Sequence, residues 1–318
     1  MARTRFKILS ITGGGYPGLF SSLILQELEE RIGKPLCHQF DLISGTSVGG
    51  IIALGIACGV SMEATTGIFL SEGETIFPRK KGLPGLRTIA GVMHGLSAPR
   101  HDGSALRKVI FRMTGQRKLG ELDTEILVPA LRVRDGEPVL FTRQSHPETL
   151  IGEVALATSA APTMLPASPV NGVLHADGAV FANCPDELAL NHALGKGIEA
   201  CDISMLSIGV PRHPISFPPG DKADLGILDW MSEHRLLSSA LHAQDTLAEH
   251  RLGMVLGSRY LRIKPEASHG ELSRIGLDLA TMDARSAIAE IADRTASRLD
   301  WPALQAFVEE GRRVEEPA

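Results

Sequence analysis

The run FKILSI (6–11) is apolar apart from a lysine and a serine, and TGGGYPG closes it; this predicts a short strand buried on both faces. LFSSLILQELEERIG (19–33) changes period. Leu19, Leu23, Leu25 and Leu28 share one face, Glu27, Glu29, Glu30 and Arg31 lie opposite, and Gly33 with Pro35 gives a stop, so the segment is expected to be a helix. FDLIS (40–44) reads as a second buried strand and VGGIIALGIACGV (48–60), apolar all round, as a central helix. Strand–helix–strand–helix order argues for a parallel sheet covered by helices.

Further along, ILVPALRV (126–133) and PVLFT (138–142) flank RDGE and suggest a hairpin. VALATSAAPTMLP (154–166) suggests a helix closed by prolines, GVLHADGAV (172–180) a strand ending in a turn, and DISMLSIGV (202–210) another buried strand. Residues 225–256 carry the pattern of one long amphipathic helix, a cover for the sheet or a partner surface. RYLRIK (259–264) suggests a strand and 274–311 one or two more helices. Residues 61–105 do not follow this alternation. FPRKKGLPGLRTIAGVMHGLSAPRH (77–101) has five Lys or Arg, no acid and many Gly and Pro, and reads as an irregular excursion. With no repeat or linker, the 318 residues are expected to form one domain, with a core over about 5–210 and a helical C-terminal cover over about 211–318.

Composition narrows the function only a little. A net charge of −5 gives no sign of a nucleic-acid polymer as partner. Cys37, Cys58, Cys184 and Cys201 have no CxxC spacing and are expected to be free thiols in a reducing compartment. The apolar part of MARTRFKILSI is too short for a secretory segment, and 48–60 falls short of the roughly 20 apolar residues of a membrane span. A cytoplasmic protein is expected.

Two glycine-rich turns carry the candidate chemistry. GTSVG (45–49) matches G-x-S-x-G between a strand and a helix, where a sharp turn exposes a nucleophilic serine and the helix start offers N–H groups. A serine there also serves as a plain helix cap. Gly13, Gly15 and Gly18 satisfy G-x-G-x-x-G, a dinucleotide fingerprint, but no acid ends the second strand to hold a ribose. The other use of such a turn is to present N–H groups to an oxyanion. None of the eleven histidines has a distinctive setting as a base. Asp177, at the end of a strand and before Gly178, is an alternative base, or a simple turn aspartate.

Together these segments resemble the patatin-like phospholipase family. GGGYPG (13–18) is similar to its oxyanion element, GTSVG (45–49) to its nucleophile elbow, ATSAAPTMLP (157–166) to a characteristic segment, DGAVFANCP (177–185) to its D-G-[AG] block and LSIG (206–209) to the strand that follows. The likeness spans roughly 5–210. It implies a three-layer α/β sandwich with a mostly parallel central sheet flanked by helices. It implies a Ser47–Asp177 dyad, an oxyanion hole from Gly13, Gly14 and Gly15, motif glycines at Gly18, Gly45, Gly49 and Gly178, and no metal or organic cofactor. The implied substrate is a membrane phospholipid, met by peripheral contact at the inner membrane face. The opening also resembles a bacterial subgroup of anti-phage phospholipases activated by a cyclic nucleotide, although no motif marks a nucleotide pocket.

One departure stands out. Where the family usually has Arg or Lys, this chain has Pro17, which has no charge for a headgroup phosphate. That implies another cation in the role, a less anionic lipid, or a weakened enzyme. Arg79, Lys80, Lys81 and Arg87, interleaved with Phe77, Leu83 and Leu86, suit contact with an anionic lipid surface, and equally suit a solvated loop. A non-catalytic lipid-binding protein and a Ser-His esterase are the competing readings. A homo-oligomer is compatible with the sequence, but no pattern marks it.

Overall fold

In the computed structural model the residues described are 5–78, 98–212, 224–226, 229–230 and 235–309. Strand β1 (Phe6–Ile11) is buried along its whole length, as its apolar run requires. Helix α1 (Gly18–Ile32) follows and ends at Gly33, whose left-handed φ of 66° lets its N–H reach Glu29 O. Next come β2 (Leu42–Gly45), the almost wholly buried α2 (Val48–Ala57), α3 (Met62–Ile76) and α4 (Ser104–Thr114). The hairpin β3 (Glu125–Arg132) and β4 (Pro138–Thr142) leads to α5 (Ile151–Thr158), β5 (Ser168–Val170), β6 (Val173–Asp177), and the short α6 (Ala179–Ala182) and α7 (Asp186–Gly195). The chain closes with β7 (Ile203–Ile208), α8 (Arg235–Leu256), β8 (Tyr260–Ile263), α9 (His269–Leu272), α10 (Met282–Arg298) and α11 (Trp301–Glu309).

The sheet order is β5-β6-β3-β2-β1-β7-β8, with β4 paired to β3. Strands β3, β2, β1, β7 and β8 run parallel; β4 and β6 are antiparallel to β3, and β5 to β6. Alternate residues of the central strands feed two apolar layers. Leu9, Ile11, Ile43, Ile126 and Leu206 pack with α1, α2, α5 and α10. Ile8, Leu42, Leu127 and Met205 pack on the opposite face with Ala189 and Leu190 of α7 and Leu252 and Leu256 of α8. This is the three-layer sandwich with a mostly parallel sheet.

Several boundaries differ from the sequence reading. The helix expected at 154–166 is α5, which starts three residues earlier and stops at Thr158; beyond it the chain turns, with Thr163 at φ 70°. Helix α3 lies inside 61–105, the stretch that breaks the expected alternation, and α4 begins at its end. Helix α3 is capped by the Ser61 side chain, which accepts the Ala64 N–H. Three of the cysteines are buried or partly buried and Cys201 is exposed; all four are free thiols. Among the described residues no helix is long and apolar enough to cross a membrane.

Candidate active site

Strand β3 has two edges, and their use positions the site. β4 takes one edge from Leu127 to Leu131. The other edge is shared: β2 runs parallel along Glu125–Leu127, and β6 runs antiparallel along Ala130–Arg132. The C-terminal tips of β2 and β6 therefore point at each other across the short interval of Val128 and Pro129. Ser47 follows the first tip and Asp177 ends the second. Ser47 Oγ donates a 2.6 Å hydrogen bond to Asp177 Oδ2.

Thr158, the last residue of α5, fills the interval. Its hydroxyl donates to Pro129 O at 2.6 Å and accepts the Ser47 N–H at 3.0 Å. A break in the sheet ladder is thus satisfied by one side chain, which also fixes the serine backbone.

The turn at Ser47 is strained. Its φ of 56° and ψ of −126° suit glycine rather than an L-residue with a side chain. The neighbouring positions need glycine for space: a Cβ at Gly45 would lie 2.1 Å from Gly49 O, and one at Gly49 would lie 2.3 Å from Ile11 O. The hydroxyl is thereby held at the N-terminus of α2, where the helix dipole favours negative charge.

Asp177 is 3% exposed. Its Oδ1 accepts the Ala179 N–H at 2.8 Å, and Gly178 lies against Pro129 O in the tight turn between β6 and α6. Burial pushes the carboxyl up to about 7, against the pull of the bonds from Ser47 and Ala179. Among the described residues no histidine lines the cavity that holds this pair. His175, two residues upstream, packs its ring against Phe141 and places Nδ1 at 2.8 Å from Val173 O; burial moves it below the ordinary histidine range.

The three glycines after β1 are not equivalent. The Gly13 N–H donates to Asn183 O at 2.9 Å, so it is already committed. Gly14 and Gly15 line the cavity beside Ser47, and among the described residues no backbone bond engages their N–H groups. Gly15 has φ 63° and passes beneath Leu277, whose carbonyl accepts the Tyr16 N–H at 2.8 Å. Gly18 opens α1 and packs closely on Val48. Pro17 precedes it at φ −52°, an angle proline prefers, where no N–H is required.

The cavity over the pair is about 170 Å³, with walls that include Ile51, Phe69, Ile76, Val109 and Leu165. Two of its lining residues, Val180 and Leu237, are also exposed at the surface, at 44% and 38%. The cations Arg79, Lys80, Lys81 and Arg87 lie outside the described residues. Phe77, at the start of that stretch, is in the cavity wall. Thr158, Asn183 and Leu277 were not legible as site residues. The first two sit inside the segments 157–166 and 177–185, but nothing in their local pattern gives them a role.

The fold and this geometry define an α/β protein with a serine elbow, a carboxylate partner and a glycine turn at the ends of three strands. The chain belongs to the patatin-like phospholipase family, whose model matches residues 9–190. It is 29% identical to a cGAMP-activated phospholipase of Pseudomonas aeruginosa over 95% of this chain and 91% of that one. It is 30% identical to a cGAMP-activated phospholipase of Vibrio cholerae over 90% of this chain and 89% of that one. Among solved structures it is similar to VipD from Legionella pneumophila, at 13% identity and a TM-score of 0.43 over 92% of this chain and 67% of that one. That overlap is too loose to carry mechanism.

Proposed function

We propose that this lipid acyl hydrolase works through a Ser47–Asp177 dyad, without histidine, metal or organic cofactor, in one domain. The observation that carries the reading is the 2.6 Å bond between a strained, glycine-flanked serine and a buried carboxylate over an apolar cavity. Ser47 Oγ attacks the ester carbonyl carbon and its proton passes to Asp177 Oδ2. The negative charge on the carbonyl oxygen meets the Gly14 and Gly15 N–H groups. Gly13, its N–H held by Asn183, serves as the anchor of that turn. Asp177 then protonates the departing alcohol. In the second half it takes a proton from water as the water attacks the acyl-enzyme, and returns it to Ser47 Oγ as the acyl–Oγ bond breaks and the fatty acid is released.

The raised Asp177 carboxyl suits both halves. A base near 7 is ionised in a useful fraction at neutral pH and still gives its proton back. Positioned base catalysis is worth typically about 10²–10⁴ in rate, and each oxyanion donor about 10²–10³. The apolar cavity takes the acyl chain. Val180 and Leu237, exposed at its mouth, provide an apolar rim through which a chain leaves a bilayer without crossing water. The basic stretch with Arg79, Lys80, Lys81 and Arg87 adds attraction to anionic lipid at the inner membrane face. The substitutions Lys80→Glu and Lys81→Glu together weaken liposome binding; unchanged binding removes this stretch from the mechanism.

The bacterial relatives are named for activation by cGAMP, and similarity along nearly the whole chain supports extending that regulation to this protein. The test is fatty-acid release from a phospholipid panel, with and without cGAMP, for wild type, Ser47→Ala and Asp177→Ala. Release that both substitutions abolish supports the dyad. Release that survives either one overturns it.

A further inference from the structure

We infer that the cavity of about 600 Å³ on the far side of the glycine turn is where a cyclic dinucleotide binds. This rests on the reading of cGAMP as activator and gives it a location. Three described cavities are large enough to compare. The one above Ser47 is mostly apolar, and none of its described lining residues is a cation that could meet a phosphodiester. A third, of about 290 Å³, presents Glu29, Glu30 and Glu63 against Lys34 and repels an anion. The far cavity presents Arg212, Arg262 and Lys264 beside Asp245 and Glu249; Arg262 is also paired with buried Asp186, so Arg212 and Lys264 are the cations it offers an anion. Its size lies within the ordinary 300–1,000 Å³ range of small-ligand sites. Val210, Pro265 and Leu272 add apolar wall for a base.

Arg212 is the residue best placed to read a phosphate. Both of its contacts use Nη2, at 2.6 Å from Asp245 Oδ2 and 3.4 Å from Gly13 O. Among the described residues its Nε and Nη1 carry no contact, so half of the fork is available to a phosphate oxygen. Among the described residues Lys264, more than half exposed, pairs only with Glu249.

Position links this cavity to the reaction. Arg212, Asp245, Asn183 and Gly13 close a ring: Asn183 Nδ2 donates to Asp245 Oδ1 at 3.0 Å, and Asn183 O accepts the Gly13 N–H. A phosphate that draws the Arg212 guanidinium therefore pulls on the turn that presents the Gly14 and Gly15 N–H groups. Leu241 and Leu277 line both cavities, so a ligand in one reshapes a wall of the other. Leu277 O also holds Tyr16 at the end of the same turn.

The experiment uses the full chain and two variants outside the catalytic machinery. Thr246→Trp fills the cavity from α8; Lys264→Glu reverses one of its charges. Calorimetric titration with cGAMP is paired with fatty-acid release from phosphatidylethanolamine–phosphatidylglycerol vesicles and with turnover of a soluble short-chain ester. Wild type binds cGAMP and gains vesicle activity. Each variant binds at least roughly tenfold more weakly, a loss of about 1.4 kcal/mol, and keeps short-ester turnover. If wild type is activated and both variants bind as tightly as it does, the location is wrong and the activation reading stands. If wild type neither binds cGAMP nor responds to it, the activation reading falls and this site with it.

Discussion

Replacing Asp177 with asparagine is expected to make the protein more resistant to alkaline destabilisation while abolishing its activity. Asparagine keeps the shape and both contacts: its oxygen accepts the Ala179 N–H, and its amide donates to Ser47 Oγ, reversing one bond without orphaning either group. What it removes is a proton equilibrium. The wild-type carboxyl titrates at about 7 in the folded protein against 3.8 for an ordinary aspartate. Between those values the native state binds more protons than the unfolded chain, so stability falls as pH rises through the window and levels off above 7. The full difference of about three pH units corresponds to about 4 kcal/mol, of which about 3 kcal/mol falls between pH 5 and pH 8. With an unfolding entropy of about 2.1 cal/mol/K per residue, this is a relative shift of about 4–5 °C for a chain of 318 residues. The assay is calorimetric melting of wild type and Asp177→Asn at pH 5, 6, 7 and 8. Wild type is expected to lose melting temperature relative to the variant as pH rises. A gap constant across that range would refute the raised carboxyl, whatever its absolute size.

The same carboxyl predicts that kcat/KM for a short-chain ester rises with pH around a midpoint near 7 and then levels, since only ionised Asp177 accepts the serine proton; a flat profile from pH 5 to 8 would count against it. Ser47→Gly should be more stable than Ser47→Ala by about 1 kcal/mol, because only glycine takes φ 56° without strain; equal denaturant midpoints would remove the strain argument. Thr158→Val should cost about 2 kcal/mol and lower kcat, because it leaves the Ser47 N–H and the Pro129 carbonyl buried and unpaired, while Thr158→Ser retains both bonds. Stability and turnover equal to wild type in Thr158→Val would deny it that role. Gly45→Ala should yield no folded elbow, its methyl meeting Gly49 O; soluble, active protein would mean the turn can move aside.

The sequence showed the sheet and its first two helices because buried parallel strands and an amphipathic α1 write their periods directly into the chain. Helix α3 was hidden by its threonines and glycines, and it is held by packing against α1 rather than by propensity. Helix α5 was drawn too long because the alanines and prolines of AAPTMLP resemble a helix end, whereas the helix stops at Thr158, whose hydroxyl bonds Pro129 O. Ser47 and Asp177 were nameable because each lies beside a glycine at a strand end. Their meeting came only through the family likeness and not from the local pattern, since it depends on β2 and β6 sharing one edge of β3, a pairing across 130 residues. The different fate of Gly13 was likewise invisible. Three consecutive glycines look alike until Asn183 takes the N–H of the first.

The central claim is that Ser47 is the nucleophile and Asp177 its base. The most direct measurement is labelling with a fluorophosphonate, followed by peptide mass spectrometry and rates across pH. The account predicts phosphonylation at Ser47 in wild type, at a rate that rises with a midpoint near 7 and falls by about 10²–10⁴ in Asp177→Asn. Label on another residue, or labelling of Ser47 in Asp177→Asn at the wild-type rate, would contradict it.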